Sequence, residues 1–289
     1  MIYTINSKTI DFDLKIDNLV MGFFDGLHIG HWKLFTSIQN EKFSVLTFDF
    51  IKQNTKLLFP FADKIIQLEK LKNLEDLIVL DLNKINFTAD EFIHLFLKKW
   101  SVKNIIVGAD FKFGSDQKDV NYLKKFFHVI VIERDDNISS TNIKNLISTG
   151  DIESANQMLL NKYYYQSNVI HGMHLGQKLG FRTANFLYPN DLVLPHDGVY
   201  ITSSVLNNIE YQSITFIGIP KTIAGVTKKQ FETHLIDYHG NNFYDSTLKV
   251  IFHKKIGNVI KYPSVSALKD GIIKQINFTK NFFKNKSNF

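Results

Sequence analysis

The sequence predicts an α/β domain built on a parallel sheet, followed by a small antiparallel β-barrel that closes with a helix. Three observations predict this. Through the first half, short β-rich runs alternate with stretches of helical periodicity. From about residue 162 extended runs follow one another through turn residues. A final helical stretch begins near Ser264. At 289 residues the chain has room for two ordinary domains.

In order, the first-half strands are NLVMGFF (18–24), FSVLTF (43–48), DLIVLDL (76–82), NIIVG (104–108) and HVIVIE (128–133). Helices are expected over 29–40, 62–73, 89–100 and 141–160, the last interrupted at Gly150-Asp151. This alternation calls for a parallel sheet with helices on both faces, and ligands in such folds lie beyond the carboxyl ends of the strands. The barrel runs are YYYQSNVIHG, DGVYITSSVL, EYQSITFIGI, KQFETHLIDY and STLKVIFHKKI. SVSALKDGIIKQINFTKNFF supplies the terminal helix. The change of texture puts a boundary between 1–161 and 162–289.

Composition is ordinary for globular material, at 44% hydrophobic and 21% charged. No apolar run approaches the roughly 20 residues of a membrane span. MIYTINSKTI lacks the basic start and apolar block of a signal peptide. Cysteine is absent, which excludes disulfides and thiolate zinc sites. A cytoplasmic location is expected. The formal charge is +6, but Arg134 and Arg182 are the only arginines among 34 basic residues. That balance fits an anionic partner, but a lysine-rich solvated surface accounts for it better. Base-reading arginine forks are nearly lacking, so no nucleic-acid partner is expected.

The stretch GFFDGLHIGHWKLF (22–35) is the most informative. A strand ends at Phe23-Phe24, glycines allow a tight turn, and His28 and His31 sit where a helix begins. Spacing of three puts both imidazoles on one side of the helix start, near its free N–H groups and positive dipole end. Such a corner suits a polyphosphate, which would favour the protonated imidazoles. Two surface histidines, or two zinc ligands awaiting others, have the same pattern.

GxFDGxHxGH is the signature of the HxGH nucleotidyltransferases, with their Rossmann-like domain, and this version resembles the bacterial bifunctional riboflavin kinase/FAD synthetases. VGADFKFGSD (107–116) is similar to that family's flavin-side loop. ISSTNIKNLISTGDIESANQMLL (138–160) is similar to its phosphate-binding helix and linker. The resemblance implies that His28 and His31 are catalytic, and that Gly22, Phe23, Asp25, Gly30, Ser139, Ser140, Thr141 and Lys144 bind ATP and its phosphates. It also implies that Asp110 and Phe111 bind flavin. By residue type, Ser139, Ser140 and Thr141 are helix caps, Asp110 a turn aspartate and Phe111 a core candidate. The chain departs from the family at Asn142 and Lys112, where arginine is common, and at TFDFIKQ (47–53), where TFxPHP is usual. Losing a bidentate clamp at 142 would weaken triphosphate binding unless Lys144 serves.

HGMHLGQKLGFRTANF (171–186) opens the second domain, with no GxxxxGK[ST] loop anywhere. By resemblance, Gly172, Gly176, Lys178 and Gly180 cover ATP, while Thr183 and Asn185 offer Mg²⁺ the oxygen ligands it prefers. LPHDGVY (194–200) and FETHLIDY (231–238) also match family segments, which assigns Gly198 and Tyr200 to the flavin. Along the latter strand Glu232, His234 and Ile236 share a face. Glu232 is then the candidate base for the riboflavin 5′-hydroxyl. A solvated strand glutamate has the same spacing. Arg182 replaces the proline of PTAN and Gln177 a common arginine.

The resemblance therefore implies ATP- and Mg²⁺-dependent conversion of riboflavin to FMN by 162–289, and of FMN to FAD by 1–161. A monomer or weak oligomer without a membrane partner is expected. The rivals are an HxGH adenylyl- or cytidylyltransferase for another phosphate acceptor, and a flavin-binding protein with a degenerate kinase domain.

Overall fold

The computed structural model describes residues 1–8, 12–50, 55–133, 135, 137–172, 180–222, 225–240 and 243–286. Gly176, Gln177, Lys178, Arg134 and residues 51–53 of TFDFIKQ lie outside them. The chain divides into two compact units, Met1–Asn142 and Ile143–Phe289.

The first unit contains β1 (Ile2–Ile5), β2 (Asn18–Met21), α1 (Ile29–Thr36), β3 (Phe43–Asp49), α2 (Phe61–Glu69), β4 (Leu74–Asp81), α3 (Ala89–Phe92), β5 (Asn104–Gly108), α4 (Val120–Leu123) and β6 (His128–Ile132). A π-helical turn, Ile93–Leu97, prolongs α3. The six strands form one sheet in the order β1-β4-β3-β2-β5-β6, every pairing parallel. Successive residues feed opposite cores. Leu19, Met21, Leu46, Ile105 and Val107 join one apolar cluster, and Val20, Val45 and Ile106 the other. Burial on both faces explains why these strands read as continuous apolar runs. The chain turns from one side of β2 to the other between β4 and β5. The loops after β2 and β5 therefore flank the topological switch, where open α/β sheets bind ligands.

Helix α1 stops at Thr36, and Gln39 and Asn40 then take left-handed backbone (φ 48° and 69°), ending the helix expected to reach 40. Asn73 (φ 66°) closes the loop after α2 in the same way. Strand β1 and helix α4 are elements the pattern did not predict. β1 is a short, largely exposed edge strand whose register against β4 runs from Ile2–Leu77 to Ile5–Leu80.

Helix α5 (Ser140–Thr149) straddles the division, and α6 (Ile152–Met158) belongs to the second unit. The division after Asn142 thus groups α6 with the barrel, whereas the change of sequence texture falls at 161–162. Strands β7 (Tyr164–Asn168), β8 (Thr183–Asn185), β9 (Gly198–Leu206), β10 (Ile209–Gly218), β11 (Gln230–Leu235) and β12 (Thr247–Gly257) precede α7 (Val265–Lys286). They form an antiparallel sheet in the order β7-β12-β9-β10-β11-β8. It curls until Ile170, past the end of β7, bridges Asn185 of β8.

Candidate functional site

His28 is the N-cap of α1. Its backbone is extended (φ −126°, ψ 171°), and Nδ1 accepts from the His31 backbone N–H at 3.2 Å. An accepting Nδ1 leaves the neutral ring its proton on Nε2. The His28 and His31 rings stack at 3.6 Å between centroids, 17° from parallel. Gly30 makes that possible, because a β-carbon there would sit 3.0 Å from the His28 ring. Phe24 stands edge-on to His31 at 5.1 Å. Burial, and then the neighbouring His28, hold the His31 imidazole well below its usual range. Its Nδ1 is buried with no hydrogen-bond partner among the described residues. Near neutral pH, with no anion beside it, His31 is therefore uncharged. A protonated His31 needs an anion beside it to outweigh its burial.

Around this pair the loop after β2 is fixed at several points. The Gly22 N–H donates to the Leu46 carbonyl (3.1 Å), and Thr47 Oγ1 donates to the Phe23 carbonyl (3.2 Å). Asp25 Oδ1 accepts from the Leu58 N–H (2.9 Å), and the Asp25 carbonyl accepts from Ser140 Oγ (2.8 Å). That last bond joins the serine segment, 115 residues on, to the histidine loop. Ser139 caps α5 by accepting from the Asn142 N–H (3.1 Å), and Thr141 is exposed in its first turn. Asn142 Nδ2 donates to the Asn137 carbonyl (2.7 Å), so the residue standing in place of arginine closes a turn. Lys144 is half-buried on the same helix.

Asp110 and Phe111 lie just past β5, on the strand next to β2. Asp110 is exposed. Phe111 is half-buried, packs against the core and stacks on Phe113 at 6.1 Å. Core residue and ligand-facing residue are thus compatible readings of one ring.

In the second unit the register is the informative quantity. β8 and β11 pair Asn185 with Glu232 and Thr183 with His234. Residues directly opposite in an antiparallel pair share a face, with Cβ atoms about 5 Å apart. One face therefore carries Thr183, Asn185, Glu232 and His234, while Ala184 and Thr233 point into the buried interior. Burial raises the Glu232 carboxyl to about 7. The Gly172 backbone lies against Asn185, where a β-carbon would come within 2.3 Å of the amide. Gly180 (φ 93°) turns the chain into β8.

Arg182 is tied at both ends. Its carbonyl lies 2.7 Å from His234 Nδ1, and its guanidinium donates to the Gly240 carbonyl at 3.2 Å. Those bonds restrain the turn that proline would otherwise stiffen. Gly198 opens β9. Tyr200, expected at the flavin, is fully buried, and its hydroxyl donates to the His196 carbonyl. That bond anchors the loop before β9 at His196. Among the described residues no cluster of three or more His, Asp or Glu stands ready for a metal, and no helix is long and apolar enough to cross a membrane. Lys64, which holds the histidine loop with Thr47 and Phe24, carries no motif by which sequence would single it out.

Two family models match the chain: FAD synthetase over residues 14–148 and riboflavin kinase over 159–283. A bifunctional riboflavin kinase/FMN adenylyltransferase from Haemophilus influenzae is 32% identical over 92% of this chain and 94% of that protein. A trifunctional protein of Mycoplasmoides gallisepticum is 40% identical over 94% of this chain, which spans 41% of that longer relative. A solved structure described as a macrolide-efflux protein from Streptococcus pneumoniae matches with a TM-score of 0.83 at 26% identity, over 97% of this chain and 99% of that one.

Proposed function

The chain belongs to the bifunctional riboflavin kinase/FMN adenylyltransferase family, and from that premise we propose that it phosphorylates riboflavin to FMN and adenylylates FMN to FAD. What supports the reading is a reactive group in each unit. The first has a stacked histidine pair at the switch of a parallel sheet, and the second a carboxylate registered against Asn185.

In the second unit Glu232 takes the proton of the riboflavin 5′-hydroxyl as that oxygen attacks the γ-phosphorus of ATP, and ADP leaves. With its carboxyl near 7, Glu232 is a stronger base than an ordinary glutamate and still largely ionised at slightly alkaline pH. Thr183 and Asn185 supply hydroxyl and amide oxygens suited to Mg²⁺, which neutralises phosphate charge when bound. Gly172 brings backbone against Asn185, and Gly180 turns the chain into β8.

In the first unit a phosphate oxygen of FMN attacks the α-phosphorus of ATP, and pyrophosphate leaves. His28 Nε2–H donates to the phosphate oxygens. His31 accepts a proton as negative charge gathers beside it, so that its cost of burial is offset most at the transition state. Gly22, Phe23, Asp25 and Gly30 shape the ATP side. Ser139, Ser140, Thr141 and Lys144 receive the departing pyrophosphate, and Asp110 and Phe111 face the flavin. Residues 1–161 form the adenylyltransferase domain and 162–289 the kinase domain. The protein works in the cytoplasm as a monomer or weak oligomer, without a nucleic-acid partner.

The test is purified protein with riboflavin, ATP and Mg²⁺, its products separated over time. FMN should appear first and FAD after it. His31→Ala should stop at FMN, with FAD formation at least about 100-fold slower, the lower end of what a positioned acid–base group contributes. FAD made by His31→Ala at the parental rate would remove the histidine pair from the reaction.

A further inference from the structure

Lys64 lies one turn into α2 and is only 7% exposed. Its Nζ donates to the carbonyls of Phe23 (3.1 Å) and Phe48 (2.8 Å), at the carboxyl ends of β2 and β3. It also lies over the rings of Phe23 (4.6 Å) and Phe61 (4.8 Å). Burial outweighs the attraction of Asp25 and Asp49 and lowers the ammonium to about 8. A methionine would fill this volume without the desolvation penalty, so the retained amine points to a polar task.

That task is legible in the next residue. Phe24 adopts left-handed backbone (φ 54°), which a β-substituted residue rarely adopts unless its surroundings hold it there. This turn sends the Phe24 ring inward, 1% exposed, to stand edge-on against His31. The peptide leading into the turn carries the Phe23 carbonyl, which Lys64 and Thr47 both grip.

We propose that Lys64 is a positioning residue for adenylyl transfer, its ammonium fixing the Phe23 carbonyl so that Phe24 backs the His28–His31 pair. The inference rests on the reading of that pair as the adenylylation site. Lys64 acts through backbone and ring, so its loss lowers the turnover of bound substrates more than their binding.

Three proteins are compared in FMN-to-FAD and riboflavin-to-FMN assays: Lys64→Met, Lys64→Arg and His31→Ala. Lys64→Met is expected to lower kcat for FAD formation 10- to 100-fold with KM for ATP within threefold, and to leave riboflavin phosphorylation unchanged. Lys64→Arg keeps a cation and its donors and should recover at least a third of the parental kcat. A Lys64→Met protein within twofold of the parental kcat, a loss confined to KM, or a Lys64→Arg protein as slow as Lys64→Met overturns the inference. Should Lys64→Met not fold, the pH profile decides. FAD formation by the unaltered protein should fall above about pH 8 while Lys64→Arg stays level, and coincident profiles overturn the proposal. The groups facing the amine are Asp25 and Asp49, with Asp81 and Lys84 beyond Asp49. If His31→Ala still makes FAD, the reading of the site fails; if only the Lys64 proteins do, the reading stands and this inference falls.

Discussion

Glu232 and Lys64 are both ionisable groups whose neutral forms the fold favours, one in each unit, and they differ in how far the sequence reveals them. Glu232 sits on an alternating strand inside a segment similar to the kinase family, so its position was legible. Its raised carboxyl was not, because that depends on burial. Lys64 is legible in neither respect: FADKIIQLE reads as an ordinary amphipathic helix with lysine toward water. The Glu232 shift has a consequence for stability. In the unfolded chain this carboxyl titrates at the ordinary value near 4.5, and in the fold at about 7. The folded state therefore binds more protons between those values, and stability contributed by the group is lost as pH rises through that window. Glu232→Gln removes the loss. It should match the parental protein in stability at pH 4 and exceed it at pH 8 by about 1–3 kcal/mol, the shift at 1.36 kcal/mol per unit discounted for partial exposure. In the same variant kcat for FMN formation should fall about 10²–10⁴-fold. Urea unfolding at the two pH values, with riboflavin and FMN assays on one preparation, checks both. A variant that is slower but no more stable at pH 8 would mean the carboxylate is well solvated and its base role rests on geometry alone.

Among the elements, the strands of the parallel sheet were legible because burial on both faces requires unbroken apolar runs. The barrel strands were legible by their turns, but their interior was not. Thr202 Oγ1 bonds Ser213 (2.7 Å) and Thr215 (2.8 Å), Ser204 bonds Ser213 (2.8 Å), and Thr215 bonds Thr233 (2.9 Å). These hydroxyls, none of them exposed, form a row across β9, β10 and β11 where an apolar interior would be predicted. Each buried hydroxyl finds a partner only in its neighbours, so the row fixes register as well as satisfying itself. Thr215 is a node with two partners. Thr215→Val keeps the shape and deprives Thr202 and Thr233 of a bond each, at an expected cost of about 1–3 kcal/mol in unfolding free energy. Replacing Thr202, Thr215 and Thr233 together by valine should cost less than the separate losses added, because no orphaned hydroxyl remains beside the new methyls. Urea titrations of these variants measure the difference, and strict additivity would show that the hydroxyls do not act as one row. β1 escaped prediction for another reason: IYTI is β-prone, but four residues at an edge are too short a run to announce a strand.

For the whole chain the open quantity is where the barrel's folding unit begins. Sequence texture changes at 161–162, but the compact unit begins at Ile143. Particular bonds explain the difference. Asn156 on α6 donates from Nδ2 to the Phe252 carbonyl of β12 (2.9 Å) and accepts from the Tyr163 N–H (2.7 Å). Lys254 on β12 pairs with Glu153 (3.0 Å). Gly150 approaches Lys255 and the Tyr200 hydroxyl so closely that a β-carbon would lie 2.9 Å from one and 3.1 Å from the other. Ile152 and Ala155 are buried. None of this is readable from periodicity, since a helix pattern shows which face is apolar without showing which sheet it covers. Two fragments separate the boundaries. Residues 143–289 should fold and phosphorylate riboflavin, since Thr183, Asn185 and Glu232 are all present. Residues 162–289 keep the same groups but lose the Asn156 bonds and the cover of Ile152, a side chain whose burial is worth about 1.5–3 kcal/mol. With one further hydrogen bond lost at about 1 kcal/mol, the shorter fragment should be at least 2 kcal/mol less stable in urea. That is a large part of what a small domain has, so its kinase activity should also fail at a lower temperature. Equal urea midpoints for the two fragments would mean that α6 lends the barrel nothing, and would return the boundary to residue 162.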